Sequence, residues 1–170
     1  MQDDMPLPKE KPKDKFEEFV RELPFCRTYI ERFKKLALEA HVACGSQNYV
    51  TVEELAKVLT TPAWEGLKDP ESKICKVLLS PAFCKEEGKI RLMPLSCMAL
   101  LCCQGNAQVK SVTFYETLQE GQFEGHDFIG ANDKDFILAF RHLCSLSTLH
   151  LYDWAKQIDG LESPLRDDQK

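Results

Sequence analysis

Apolar side chains in this chain recur three and four residues apart almost from end to end, and that period restricts the fold more than any other feature. Phe16, Phe19, Val20 and Leu23 follow the i, i+3, i+4, i+7 spacing of a half-buried helix. Phe25, Tyr29, Ile30, Phe33, Leu36 and Ala37 continue a stripe to about His41. Ile74, Val77 and Leu78 mark another, as do Val112, Tyr115 and Leu118, and Phe136, Ile137, Phe140, Leu143 and Cys144. A last helix is expected from Ser147 to Ile158, carrying Leu151 and Trp154. The fold class is therefore all-α.

The breaks between stripes are short. Pro24 ends one segment or opens the next at its first turn. Thr51, with Glu54 three residues on, is a capping box ahead of Leu55, Val58 and Leu59. Thr61-Pro62 stops that helix, Asp69-Pro70 places proline in the first turn of the next, and Ser80-Pro81 breaks it. Asn132-Asp133 is a cap for the helix that follows Gly121 to Gly130. Only Tyr49-Val50-Thr51 and Lys89-Ile90-Arg91 carry a strand signal, each about three residues long.

Helix, short loop with one β-branched residue, helix: this repeated layout resembles the EF-hand superfamily, in the arrangement of the calcium-sensor and calcineurin-B-like proteins. The resemblance spans about residues 25–158. It implies paired helix–loop–helix units with a short β contact between loops, and a hydrophobic groove for a partner helix. In an EF-hand loop, oxygen ligands occupy positions 1, 3, 5, 7, 9 and 12, with glycine at 6. With Val50 at position 8, Glu54 falls at 12, but Ala43 and Gly45 fall at 1 and 3 with no side-chain oxygen. With Ile90 at position 8, Gly88 falls at 6 and Glu87 at 5, but Phe83 takes 1 and Pro94 takes 12. With Ile129 at position 8, Glu124, His126 and Asp133 fall at 3, 5 and 12. That third loop, 122–133, is the richest in oxygen. A hard dication needs several carboxylates, so the first two loops are expected to be silent, and calcium to be bound weakly or not at all, any binding coming from the third. No other cofactor is expected.

The run from Leu92 to Cys103 is apolar nearly all round, and reads either as a buried helix or as the wall of a partner groove. On the second reading Met93, Met98 and Leu101 would face the partner, with Trp64 and Trp154 as anchors at its rim.

Other chemistries find less support. No phosphate loop, dinucleotide fingerprint or metalloprotease helix occurs, and no convergent polar constellation suggests an enzyme. His41 with Cys44, or the Cys97, Cys102 and Cys103 group, would make a poor zinc site because no C-x-x-C pair exists. The eight cysteines fall mostly in apolar helical runs, which suits reduced thiols in a core. A net charge of −5 disfavours nucleic acid or anionic membrane as the partner. No stretch is long and apolar enough to insert in a membrane, and Met1 to Lys15 has no leader-like apolar core, so a cytoplasmic setting is expected, with a cytoskeletal complex as one candidate.

The expected organisation is a flexible arm at 1–14, a helical domain at 15–159 with halves at 15–104 and 105–159, and a polar tail at 160–170. The function that fits is an adaptor or structural subunit docking an amphipathic helix of another protein. The alternative is a calcium sensor gated by the third loop.

Overall fold

The computed structural model describes residues 4–45, 49–119 and 134–161. Among these the fold is mostly helical, eight α-helices with one small three-stranded sheet. In chain order the elements are α1 (Lys15–Glu22), α2 (Ile30–Ala43), β1 (Tyr49–Val50), α3 (Val52–Val58), α4 (Lys73–Leu78), β2 (Cys84–Glu86), β3 (Lys89–Arg91), α5 (Leu92–Cys102), α6 (Ala107–Gln119), α7 (Lys134–Ser145) and α8 (Leu151–Asp159). Two 3-10 segments, Pro24–Arg27 and Pro62–Lys68, join α1 to α2 and α3 to α4.

Local chemistry sets most of these boundaries. Asp14 caps α1 by accepting from the Glu17 N–H at 2.8 Å, while Glu17 accepts from the Lys13 N–H at 2.7 Å. Thr51 caps α3 through the Glu54 N–H at 3.3 Å, as the Thr51/Glu54 spacing predicts. Ser72, not Asp69-Pro70, opens α4: its hydroxyl accepts from the Cys75 N–H at 3.3 Å. Pro70 lies in the turn before it, because a capping hydroxyl one turn from the apolar stripe is the stronger start signal. The expected break at Ser147 does not occur. A π-helical segment, Leu146–His150, carries α7 directly into α8, and it places Leu146 in the core.

α5 is the axis of the molecule. It contacts α2, α6, α7, β3, the first 3-10 segment and the π segment. Leu92, Met93, Pro94, Leu95, Cys97, Met98 and Ala99 are all buried. Being surrounded explains an apolar surface on every side. Pro94 is accommodated because its missing N–H falls in the first turn, where donors have no intrahelical acceptor.

Two aromatic clusters fix the surrounding elements. Trp64 meets Phe25 at 5.0 Å and Phe33 at 5.6 Å, and its indole N–H donates to the Thr28 hydroxyl at 2.8 Å. Trp154 stacks on Phe83 at 5.5 Å and 17°. α8 then closes onto α1, with Phe16 and Tyr152 5.6 Å apart and Lys73 bridging Glu22 and Asp159.

The start of the chain is not a free arm throughout. The Met5 N–H donates to the Arg27 carbonyl at 2.8 Å, Asp4 Oδ2 accepts from the Ala63 N–H at 2.8 Å, and Gln104 Nε2 donates to the Pro6 carbonyl at 2.9 Å. Composition pointed to a detached arm because it has no apolar face. Docking is by backbone and one carboxylate instead, which hydropathy does not register.

Candidate functional site

The two short strand segments, Tyr49–Val50 and Lys89–Arg91, lie side by side. β1 and β3 run antiparallel, with Val50 opposite Ile90 and Tyr49 opposite Arg91. Val50 and Ile90 are both fully buried. They are the two residues assigned to position 8, so their pairing links the α2–α3 unit to the α4–α5 unit through one cross-strand contact.

A third strand accompanies them. β2 pairs with β3 through Cys84↔Ile90 and Glu86↔Lys89, giving the order β1-β3-β2. Gly88, at φ +73°, makes the tight return between them. The backbone of residues 84–86 is committed to this hairpin.

Arg91 completes the closure of the second loop. Its Nε donates to the Phe83 carbonyl at 3.0 Å, its Nη2 to the Ala82 carbonyl at 2.8 Å, and its backbone N–H also reaches Phe83 O at 3.0 Å. A guanidinium from the chain itself thus supplies positive charge to carbonyls at the start of the loop. Phe83 is fully buried against Trp154, and Pro94 is buried in α5. Positions 1 and 12 of this loop therefore face the core.

In the first loop Ala43 ends α2 and Gly45 follows it at φ +83°, neither offering a side-chain oxygen. Glu54 is ion-paired with Lys57 and raises the lysine's pKa through that hydrogen bond and its charge. Its carboxylate is engaged on the α3 surface. Glu124, His126 and Asp133 lie outside the described residues. Among the described residues no three His, Cys, Asp or Glu side chains converge on one point.

The five residues expected on a partner surface are not brought together. Trp64 and Trp154 are 2% and 5% exposed and belong to two separate ring clusters, so neither is a rim anchor. Met98 is fully buried, Met93 nearly so, and Leu101 only half-covered. The physical reason is the encirclement of α5: a helix apolar all round is satisfied by neighbours on all sides, not by one groove.

A surface groove does exist, elsewhere. It has a volume of ≈ 600 Å³ and lies between α3, the second 3-10 segment, α4 with its C-terminal end, and the β2–β3 turn. Val52, Ala56, Leu67, Pro70 and Leu79 give it an apolar floor, with Glu53, Glu87 and Lys68 at its edges. Leu79, 42% exposed, is one of several large apolar side chains that the described surface exposes. Sequence reasoning missed both this groove and the role of Arg91. A basic residue immediately after the position-8 isoleucine was the available signal for Arg91. No local signal marked the groove, because its walls come from four separate elements.

No family model matches this chain, and no curated protein or solved structure matches it. Among the described residues no helix is long and apolar enough to cross a membrane.

Proposed function

We propose that this chain is a non-catalytic adaptor built on a degenerate pair of EF-hand-like units, and that it binds an amphipathic helix of another protein without calcium. The observation that carries the reading is the open apolar groove beside the paired loops. Its volume is in the range of specific ligand sites. It sits on a scaffold whose second loop is closed by Arg91 and by the pairing of β2 with β3. Such a scaffold has no need of an ion to hold its groove in shape.

Charge selects the kind of partner. Two carboxylates, Glu53 and Glu87, border the groove against one lysine, and the whole chain carries −5. The complementary occupant is a helix with apolar residues at i, i+3 or i+4, and i+7 and with lysine or arginine on its flanks.

A displayed library of such peptides, selected on the immobilised full chain with a chelator present, tests this. Basic amphipathic sequences are expected to be enriched. Their binding should fall at least about tenfold with Leu79→Asp, with circular dichroism confirming that the variant keeps its helical signal. Phe140→Asp, on exposed α7 surface, should leave binding unchanged. Enrichment that requires calcium, or binding that survives Leu79→Asp, overturns the proposal.

A further inference from the structure

Residues 4–6 lie across three separate parts of the fold, away from the residues that line the apolar groove. The Met5 N–H donates to the Arg27 carbonyl at 2.8 Å, and Arg27 Nε donates back to the Met5 carbonyl at 3.3 Å. Gln104 Nε2 donates to the Pro6 carbonyl at 2.9 Å. Asp4 Oδ2 accepts from the Ala63 N–H at 2.8 Å, across 59 residues of sequence. Reciprocal bonds to one residue's N–H and C=O are how an extended peptide is held when it docks on a folded surface.

The groups that receive this segment are fixed by other bonds. The Ile30 N–H donates to the Gln104 carbonyl at 2.9 Å, the Gln104 N–H to the Thr28 carbonyl at 2.9 Å, and Gln104 Nε2 also to the Cys26 carbonyl at 2.8 Å. Gly105 permits this approach: its φ is +153°, and a Cβ there would stand 2.9 Å from Ile30 Cγ2. Trp64, next to Ala63, is anchored by Thr28 and by the rings of Phe25 and Phe33. The segment itself is lightly held. Asp4 and Met5 are half-buried, Pro6 is exposed, and the chain stays exposed from Leu7 to Lys15. Among the described residues, Asp4 Oδ1 is buried without a hydrogen-bond partner. Release to water would satisfy that oxygen and return backbone freedom, and both effects oppose the four bonds. The receiving surface is thus rigid and its occupant is replaceable.

We propose that Arg27, Ala63 and Gln104 form a docking site for an extended acidic segment of a partner protein, and that residues 4–6 occupy it in cis until displaced. The bonds define the ligand. Its first residue supplies a carboxylate to the Ala63 N–H. Its second supplies both an N–H and a carbonyl to Arg27. Its third supplies only a carbonyl, to Gln104, so proline is allowed there, and its fixed φ reduces the entropy lost on docking. An aspartate, any residue but proline, then proline is the pattern that fits. The tethered segment competes at an effective concentration on the order of millimolar, so it masks the site from a free peptide.

The probe is a capped, fluorescent peptide with the sequence of residues 4–10, Asp-Met-Pro-Leu-Pro-Lys-Glu. It is titrated into the full unsubstituted chain and into the full chain carrying Asp4→Ala with Met5→Pro, which removes the carboxylate and the N–H of the cis segment. Circular dichroism should show the same helical signal for both. The peptide should bind the substituted chain at least about tenfold more tightly. Changing the peptide's aspartate to alanine should remove most of that gain. Hydrogen exchange at the Ala63 amide locates the site: slow in the unsubstituted chain, faster in the substituted one, and slow again when peptide is added. Equal affinity for the two chains, no binding to the substituted chain, or Ala63 exchange that ignores both substitution and peptide overturns the proposal. Ala63 protection that disappears as the unsubstituted chain is diluted from dimer to monomer also overturns it, because the segment would then belong to a second copy.

Discussion

Arg91 turns its guanidinium back onto the loop that precedes it, with Nε 3.0 Å from the carbonyl oxygen of Phe83. The two residues stand at opposite ends of the β2–β3 hairpin, so the contact closes it. Replacing Arg91 with methionine keeps the stem and removes the charge. The Ala82 carbonyl then loses its side-chain donor, and the expected cost is about 1–3 kcal/mol. Hydrogen exchange at residues 84–90 should accelerate. Calcium should not restore protection, because no carboxylate set replaces the lost cation. In calorimetry, any heat from calcium should trace to the 122–133 loop and vanish with Asp133→Ala. A tight site in either of the first two loops would show the ligand alignment to be wrong.

Val50 and Ile90 are predicted to be energetically coupled. Each is fully buried, and they are direct cross-strand partners. Ile90→Ala should cost about 2–5 kcal/mol. In a double-mutant cycle with Val50→Ala, measured by urea unfolding, the two losses should fall short of additivity by roughly 0.5 kcal/mol or more. Strict additivity would mean the loops are stabilised independently.

Met98→Glu is expected to abolish the helical circular dichroism signal, not merely partner binding. Met98 is fully buried in α5, and a buried carboxylate without a partner costs several kcal/mol. Trp64→Ala should be similarly severe, about 3–5 kcal/mol, since it removes the ring shared by Phe25 and Phe33. A folded Met98→Glu protein with lost partner binding would return α5 to the binding surface.

His142 gives the fold a dependence on mildly acidic pH. Burial holds its pKa below the ordinary histidine value, and Arg91, His150 and Lys85 reinforce the shift. The unfolded chain takes up this proton more readily than the folded one. Its contribution is therefore complete above about pH 6.5 and is lost as pH falls through the lowered folded value. Urea midpoints should decline over that window, and His142→Gln should flatten the decline. Glu17, whose pKa is lowered by the Lys13 N–H and then by Arg21, acts in the same direction but at lower pH, beneath the ordinary glutamate range. A midpoint unchanged between neutrality and about pH 5.5 would remove His142 from this role.

What the sequence determined by itself was local. Thr51 and Glu54 set the start of α3, apolar spacing set the helices, and Val50 and Ile90 were legible as isolated strand residues between them. Each of these depends on neighbours within one turn of the chain, so the pattern is written in consecutive residues. Tertiary structure decided the rest. Whether Trp64 and Trp154 were rim or core depended on Phe25, Phe33 and Phe83 arriving from distant elements. β2 formed because β3 was there to pair with it, and the polar start of the chain docked because Arg27, Ala63 and Gln104 presented backbone and amide groups to it. Burial and hydrogen-bond partnership are properties of the surroundings of a residue, and the surroundings of Met98, Arg91 and Asp4 are assembled from parts of the chain that no local window contains.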